Sequence, residues 1–143
     1  MYIIRNFWKT IGWAVFVLLL SAWSGDKINQ IIALMPYPNV DKVAHFGMYF
    51  IFTFLMMHDF NHIKDRIFPV SQIIIFSVAV AVAYGGTMEI LQSIPKLHRT
   101  TDIFDFMANT AGSLTAVLLY RPINMILNMI HSTVTKPPRN YSL

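Results

Sequence analysis

The sequence has the composition of a membrane protein rather than of a water-soluble domain. Of its 143 residues, 55% are hydrophobic and 14% aromatic, while only 13% are charged, against roughly 25% in soluble proteins. A water-soluble globule of this length needs more polar side chains for its surface, which argues against a soluble enzyme. The chain has no cysteine, which excludes disulfides and thiolate sites. In a membrane protein, the distribution of basic residues along the chain matters more than the net charge of +4. No nucleic-acid partner is predicted.

Four apolar stretches are predicted to be transmembrane helices. They cover residues 7–23, 40–57, 70–91 and 103–120. At about 1.5 Å per residue, each crosses most or all of a hydrocarbon core roughly 30 Å thick. Pro69 is expected at the start of the third helix, and Pro122 is expected to end or kink the fourth. The sequence therefore predicts an all-α, polytopic membrane protein, an antiparallel bundle of four transmembrane helices within residues 1–131, followed by a polar cytoplasmic tail over residues 132–143.

The first stretch has a second interpretation. Arg5 and Lys9 accompany an apolar run that small residues follow, which resembles a cleavable signal. Trp23 lies among those small residues, and further spans follow downstream, so the prediction is a retained helix.

The basic residues predict how the bundle is oriented. If both termini are cytoplasmic, seven of the eleven Lys and Arg residues lie on the inner side. The positive-inside rule favours this arrangement. It places Lys27, Lys42, Lys96 and Arg99 on the outer side.

Ionisable side chains gather where three predicted helices meet one face of the membrane. Because consecutive helices run antiparallel, the start of the second, the end of the third and the start of the fourth share that face. Within each helix the polar residues follow a helical period and so form one stripe. A carboxylate turned toward lipid at depth would cost about 2–3 kcal/mol, so the stripes should point inward. The candidate ligand-binding residues are Asp41, Lys42, His45, Tyr49, Glu89, Gln92, Arg99, Asp102, Asp105 and Asn109.

Several of these residues also have a purely structural interpretation. Glu89 could be an ordinary carboxylate at the headgroup level. His45 could hydrogen-bond a backbone carbonyl, and Gly85 could serve close helix packing. Asp105 and Asn109 favour function most, because polar groups a turn or two inside a span are rare and usually functional.

Two functions fit this cluster. In the first, Lys42, Lys96 and Arg99 hold the phosphate or carboxylate of an anionic lipid-linked or cell-wall ligand. Membrane lipids would then both surround the protein and be its binding partners. A proton-coupled permeation path is disfavoured, because the inner halves of the third and fourth spans carry no ionisable group that could continue a relay.

The second function is a membrane-embedded enzyme, an acid–base hydrolase or transferase. Its candidate catalytic residues are Asp105 or Glu89 as general base and His45 as acid or base. Oxygen and imidazole groups of five residues could hold a divalent cation: Asp41, His45, Glu89, Asp102 and Asp105. No pair of them has a diagnostic metal spacing, so neither a metal nor a cofactor is predicted. The residues alone do not choose between the two functions.

Three short segments occur in a characteristic order: DKVAHFGMYFIF from Asp41, YGGTMEILQ from Tyr84 and RTTDIFDFMANTAG from Arg99. Together they resemble the VanZ-like family of small bacterial membrane proteins over about residues 41–120. The resemblance implies a multi-pass protein of the bacterial cytoplasmic membrane that acts at or near the cell envelope. The family is named after a member associated with teicoplanin resistance, so a link to glycopeptide resistance is an expectation from the resemblance alone.

Overall fold

The computed structural model describes residues 2–23, 39–63, 68–93 and 102–135, and within these ranges it contains four α-helices and no strand. The helices are α1 (Tyr2–Ser21), α2 (Val40–Asn61), α3 (Val70–Gln92) and α4 (Ile103–Thr135). The predicted all-α membrane bundle is confirmed, because α2, α3 and α4 up to Thr133 are long and apolar enough to cross a membrane. That α1 also crosses stays a prediction.

Two helices, α1 and α4, extend furthest beyond the spans that the sequence predicted. α1 begins at Tyr2 and bends at Phe7, whose backbone (φ −109°, ψ 18°) is not helical. α4 does not end at Pro122 but continues to Thr135, so the first residues of the predicted tail are helical, whereas residues 136–143 lie outside the described part. Proline is tolerated inside transmembrane helices, because neighbouring groups and local adjustments satisfy the backbone carbonyl that it leaves without a donor.

Polar contacts fix α1 against α2 and α3. The Thr10 hydroxyl and backbone N–H both donate to Asp59 Oδ2, at 2.7 and 3.3 Å. Trp13 Nε1 donates to the Met48 carbonyl at 2.9 Å. Because Thr10 meets the end of α2 and Trp13 meets its middle, α1 and α2 run antiparallel.

Small residues let α2 and α4 pack closely at the centre of the bundle. Gly112 of α4 lies directly against the backbone of α2, and a Cβ on it would overlap the Phe46 carbonyl oxygen. Helices in lipid gain little from hydrophobic burial against each other, so close backbone approach of this kind holds them together. This contact sets the register of the two helices and brings His45 of α2 opposite Asn109 of α4.

Candidate functional site

The predicted polar residues meet at one end of the bundle. Six of them are buried, and four of these lie close together, with exposed fractions of 4% for His45, 3% for Glu89, 8% for Asp105 and 0% for Asn109. His45 comes from α2, Glu89 from the end of α3, and Asp105 and Asn109 from the start of α4. The predicted inward orientation of these stripes is confirmed, and what the residues bind stays a prediction.

Lys42 joins the cluster to its outer edge. Its Nζ donates to three carboxylates: Asp41 Oδ2 at 3.0 Å, Asp102 Oδ2 at 2.9 Å and Asp105 Oδ1 at 3.2 Å. An ammonium has three N–H donors, so these contacts use all of them. A bound anion would therefore have to replace a carboxylate at Lys42.

Asp102 fixes the start of α4 beside Lys42. Its Oδ1 accepts the Phe104 N–H at 2.8 Å, which is the hydrogen bond of a helix N-cap. The hydrogen bond from Lys42, followed by the bond from the Phe104 N–H, lowers the pKa of the Asp102 carboxyl below its ordinary value. Asp102 is thus ionised at neutral pH, and its backbone carbonyl accepts the Asp105 N–H at 3.1 Å.

An imidazole lies between two carboxylates at the centre of the cluster. His45 Nδ1 is 3.0 Å from Asn109 Oδ1 and 3.9 Å from Glu89 Oε1. On the other side of the ring, Nε2 is 3.8 Å from Asp105 Oδ2. Asn109 Nδ2 donates to Glu89 Oε1 at 3.5 Å, so this amide links α2 to α3. Such an arrangement can transfer a proton or bind a cation or a polar ligand.

The other predicted residues lie around this centre or outside the described part of the chain. Tyr49 is buried about one turn deeper, and its hydroxyl has no hydrogen-bond partner among the described residues. Gln92 is buried in the last turn of α3, while Asp41 is half-buried at the edge. Arg99 and Lys96 fall in residues 94–101, which are not described.

One buried carboxylate lies far from this site and was not expected. The sequence places Asp59 in the polar connection after the second span, whereas the structure buries it at the opposite end of the bundle against Thr10. Its position could have been found by extending the period of His45, Tyr49 and Met56, since Asp59 is the next residue on that face.

Gly85 provides the space that Asn109 occupies. A Cβ on Gly85 would lie 3.2 Å from Asn109 Nδ2 and 3.2 Å from Tyr49 Cε1. The neighbouring Gly86 has more room, since its Cβ would meet only Phe106, at 3.6 Å.

We expect Gly85→Ala to displace the Asn109 amide and weaken its contacts to His45 and Glu89. The melting temperature in detergent should fall, because overpacking typically costs about 1–3 kcal/mol. Gly86→Ala is the matched control and should melt like the wild type. Equal melting of the two variants would contradict the close packing at Gly85.

The comparisons with known proteins agree with the membrane setting. The chain matches the family model described as VanZ/LLP1 over residues 1–128. It is 31% identical over 112 residues to an uncharacterized protein of the yeast Schizosaccharomyces pombe, an alignment that covers 78% of this chain and 62% of the relative. The chain thus spans less than two thirds of that relative's length. No solved structure matches the chain.

Proposed function

Because the chain belongs to the VanZ/LLP1 family, we propose that it binds the headgroup of an anionic, lipid-linked ligand within the membrane. One observation carries the proposal: His45, Glu89, Asp105 and Asn109, from three different helices, are buried close together at one end of the bundle. These residues would hold the headgroup, and the hydrocarbon chain would lie in the surrounding lipid.

Packing alone does not account for this cluster. Burying ionisable groups is costly, and replacing them with apolar side chains of similar volume is often neutral or stabilising. The Tyr49 hydroxyl next to the cluster adds a further buried polar group with no hydrogen-bond partner among the described residues. A bound headgroup would give the Tyr49 hydroxyl a partner that a lipid-filled surrounding does not offer.

The depth of the cluster fits a headgroup. Asp105 and Asn109 lie in the first two turns of α4, and Glu89 lies in the last turn of α3. At about 1.5 Å per residue, this is within roughly 10 Å of the helix ends. Ile90 and Phe104 are exposed on the outside of the same ends, where a hydrocarbon chain can lie against them.

The charges suggest how a headgroup would be shared among the residues. The carboxylates can accept hydrogen bonds from hydroxyl or amide groups. The phosphate or carboxylate of the ligand would displace one carboxylate from Lys42, whose three N–H donors are otherwise all used. Arg99, which precedes Asp102 by three positions in the sequence, would be the second cation that binds it. A relative in a yeast favours a lipid class that bacteria and eukaryotes share over a component specific to bacterial cell walls, and so lowers the expectation of a glycopeptide-resistance role.

The test is to identify the lipids that the protein retains. The chain is purified in a mild detergent, and its lipids are compared by mass spectrometry with the extract of the source membrane. We expect one anionic lipid class to be strongly enriched. A retained lipid mixture identical to the membrane extract would contradict the proposal.

A membrane-embedded acid–base enzyme is the second candidate, and the position of His45 favours it. The imidazole lies between Asn109 and Asp105 in the way that a general base is held and oriented. If the enriched lipid is converted to a product on incubation, and His45→Gln retains the lipid without converting it, the protein is an enzyme. Retention without any conversion supports the binding function.

The proposal includes an orientation in the bacterial cytoplasmic membrane, with both termini cytoplasmic and the cluster on the outer side. His62 follows α2 and Ser93 follows α3, so these two exposed residues lie at opposite ends of the bundle. In intact cells a membrane-impermeant maleimide should label Ser93→Cys but not His62→Cys, since the chain has no other cysteine. Labelling of His62→Cys but not Ser93→Cys would show that the protein has the opposite orientation.

A further inference from the structure

Three side chains of the cluster form a set of metal-ligand types. One nitrogen of His45 and one oxygen each of Glu89 and Asp105 lie within 4.8 Å of one another. All three side chains are buried, and each comes from a different helix. The set differs from the outer carboxylates Asp41 and Asp102, which lie around Lys42 and include no imidazole.

The hydrogen bonds of Asn109 determine which His45 nitrogen faces the cluster as an acceptor. An ionised carboxylate only accepts, so the contact of Asn109 with Glu89 uses the amide nitrogen Nδ2. The amide oxygen then faces His45 Nδ1, which must carry the proton and donate. In the neutral ring this leaves the lone pair on Nε2. That lone pair is on the side of Asp105.

Two acceptors therefore face each other across a gap. His45 Nε2 and Asp105 Oδ2 are 3.8 Å apart, which is longer than a hydrogen bond. Lys42 does not fill the gap, because it contacts the other oxygen of Asp105, Oδ1. Two atoms that bind one tetrahedral metal at about 2.1 Å lie roughly 3.4 Å apart. A small side-chain movement would bring both atoms to that separation. Glu89, whose Oε1 lies 3.9 Å from Nδ1, would have to rotate toward Nε2 to complete the set.

We infer that His45, Glu89 and Asp105 bind a divalent transition-metal cation of the zinc type. Imidazole selects such metals over calcium or magnesium, and carboxylate oxygens complete the set. The hydrogen bond from Nδ1 to Asn109 orients the ring as a metal-binding histidine usually is. Three protein ligands leave a fourth position open, on which a phosphate oxygen or a water can bind. This site stands independently of the proposed lipid ligand, because its ligands are all protein groups.

The test uses Zn²⁺ alone as the probe. The full chain is purified in detergent without a polyhistidine tag, stripped with a chelator and titrated with Zn²⁺ by calorimetry, and the bound metal is then counted by elemental mass spectrometry. We expect one Zn²⁺ per chain and no comparable binding of Mg²⁺. Absence of stoichiometric Zn²⁺ binding by the folded wild type would overturn the inference.

Substitutions locate the bound metal. Three substitutions each remove one ligand from a different helix: His45→Gln, Glu89→Gln and Asp105→Asn. Each should weaken Zn²⁺ binding by at least about tenfold, because even the loss of a residue that only orients a metal ligand lowers metal affinity by about this factor. Asp41→Asn is the matched control that removes a neighbouring charge but no ligand, and it should bind Zn²⁺ like the wild type. Melting temperatures identify any variant that has lost its fold. Binding that survives His45→Gln and Glu89→Gln but is lost in Asp41→Asn would place the metal at the outer carboxylates and refute the assignment.

Discussion

Gly112→Ala is expected to be the most destabilising single substitution in the bundle. The added methyl group would overlap the Phe46 carbonyl and crowd the Phe50 backbone nitrogen, which would be 3.1 Å away. Backbone atoms cannot rotate aside as a flexible side chain can, so α2 and α4 would have to separate. We expect a loss of about 3 kcal/mol or more in the free energy of unfolding, at or beyond the upper end of ordinary overpacking.

The matched control for this substitution is Gly47→Ala on the facing helix. A Cβ on Gly47 would meet no atom within 4 Å, and alanine favours a helix over glycine by roughly 1 kcal/mol. The control should therefore unfold like the wild type or slightly later. Both variants are compared by thermal melting in detergent and by titration with a denaturing detergent. Wild-type stability of Gly112→Ala would show that α2 and α4 do not approach at this point.

Glu89→Gln and Asp105→Asn are expected to abolish ligand binding while the protein stays inserted and folded. Both changes keep the size and most of the hydrogen-bonding capacity of the side chain but remove its charge. Lys42 does not become an unpaired cation in Asp105→Asn, because Asp41 and Asp102 still accept its hydrogen bonds. We therefore expect retained lipid to fall by at least about tenfold, the loss that corresponds to about 1.4 kcal/mol, with a melting temperature near that of the wild type.

Asp59→Asn is the control for these two variants, and it should lower stability without lowering the amount of retained lipid. Asp59 is also a buried carboxylate, but it accepts its hydrogen bonds from Thr10 at the other end of the bundle. Its substitution should loosen α1 and lower the melting temperature without changing the retained lipid. Across the three variants, a cellular phenotype such as envelope stress or antibiotic susceptibility should correlate with the amount of retained lipid and not with the melting temperature. If lipid and phenotype are lost only as the protein level falls, the cluster is a structural polar network.

Periodicity and composition were sufficient to predict the bundle and its inward faces. His45 and Glu89 lie on the inward faces that the helical period predicted, because a charged group that faces lipid is costly and the interior of the bundle avoids that cost. The ends of α1 and α4 were not predictable in the same way. The Phe7 bend and the helical turns after Pro122 depend on packing and on lipid surroundings, which override local propensity.

Contacts between helices were beyond the sequence. No spacing along the chain indicates that Lys42 reaches Asp102 and Asp105, since these pairs are separated by 60 and 63 positions. The sequence placed His45, Glu89 and Asp105 at the same membrane face, but it could not predict their distances, because metal spacings are recognisable only when ligands share one helix or loop. Asp59 was assigned to a connection because its charge outweighed its position on the buried face of α2.

An experimental structure of the wild-type protein in lipid nanodiscs made from its source membrane tests the central claim most directly. We expect headgroup density that enters between α2, α3 and α4 and contacts His45 or Asp105 at hydrogen-bond or metal-ligand distance. We also expect this density to disappear in Asp105→Asn while the helices keep their places. A closed cluster in the wild type, with lipid only around the outer rim of the bundle, would contradict the claim that these buried residues form a binding site.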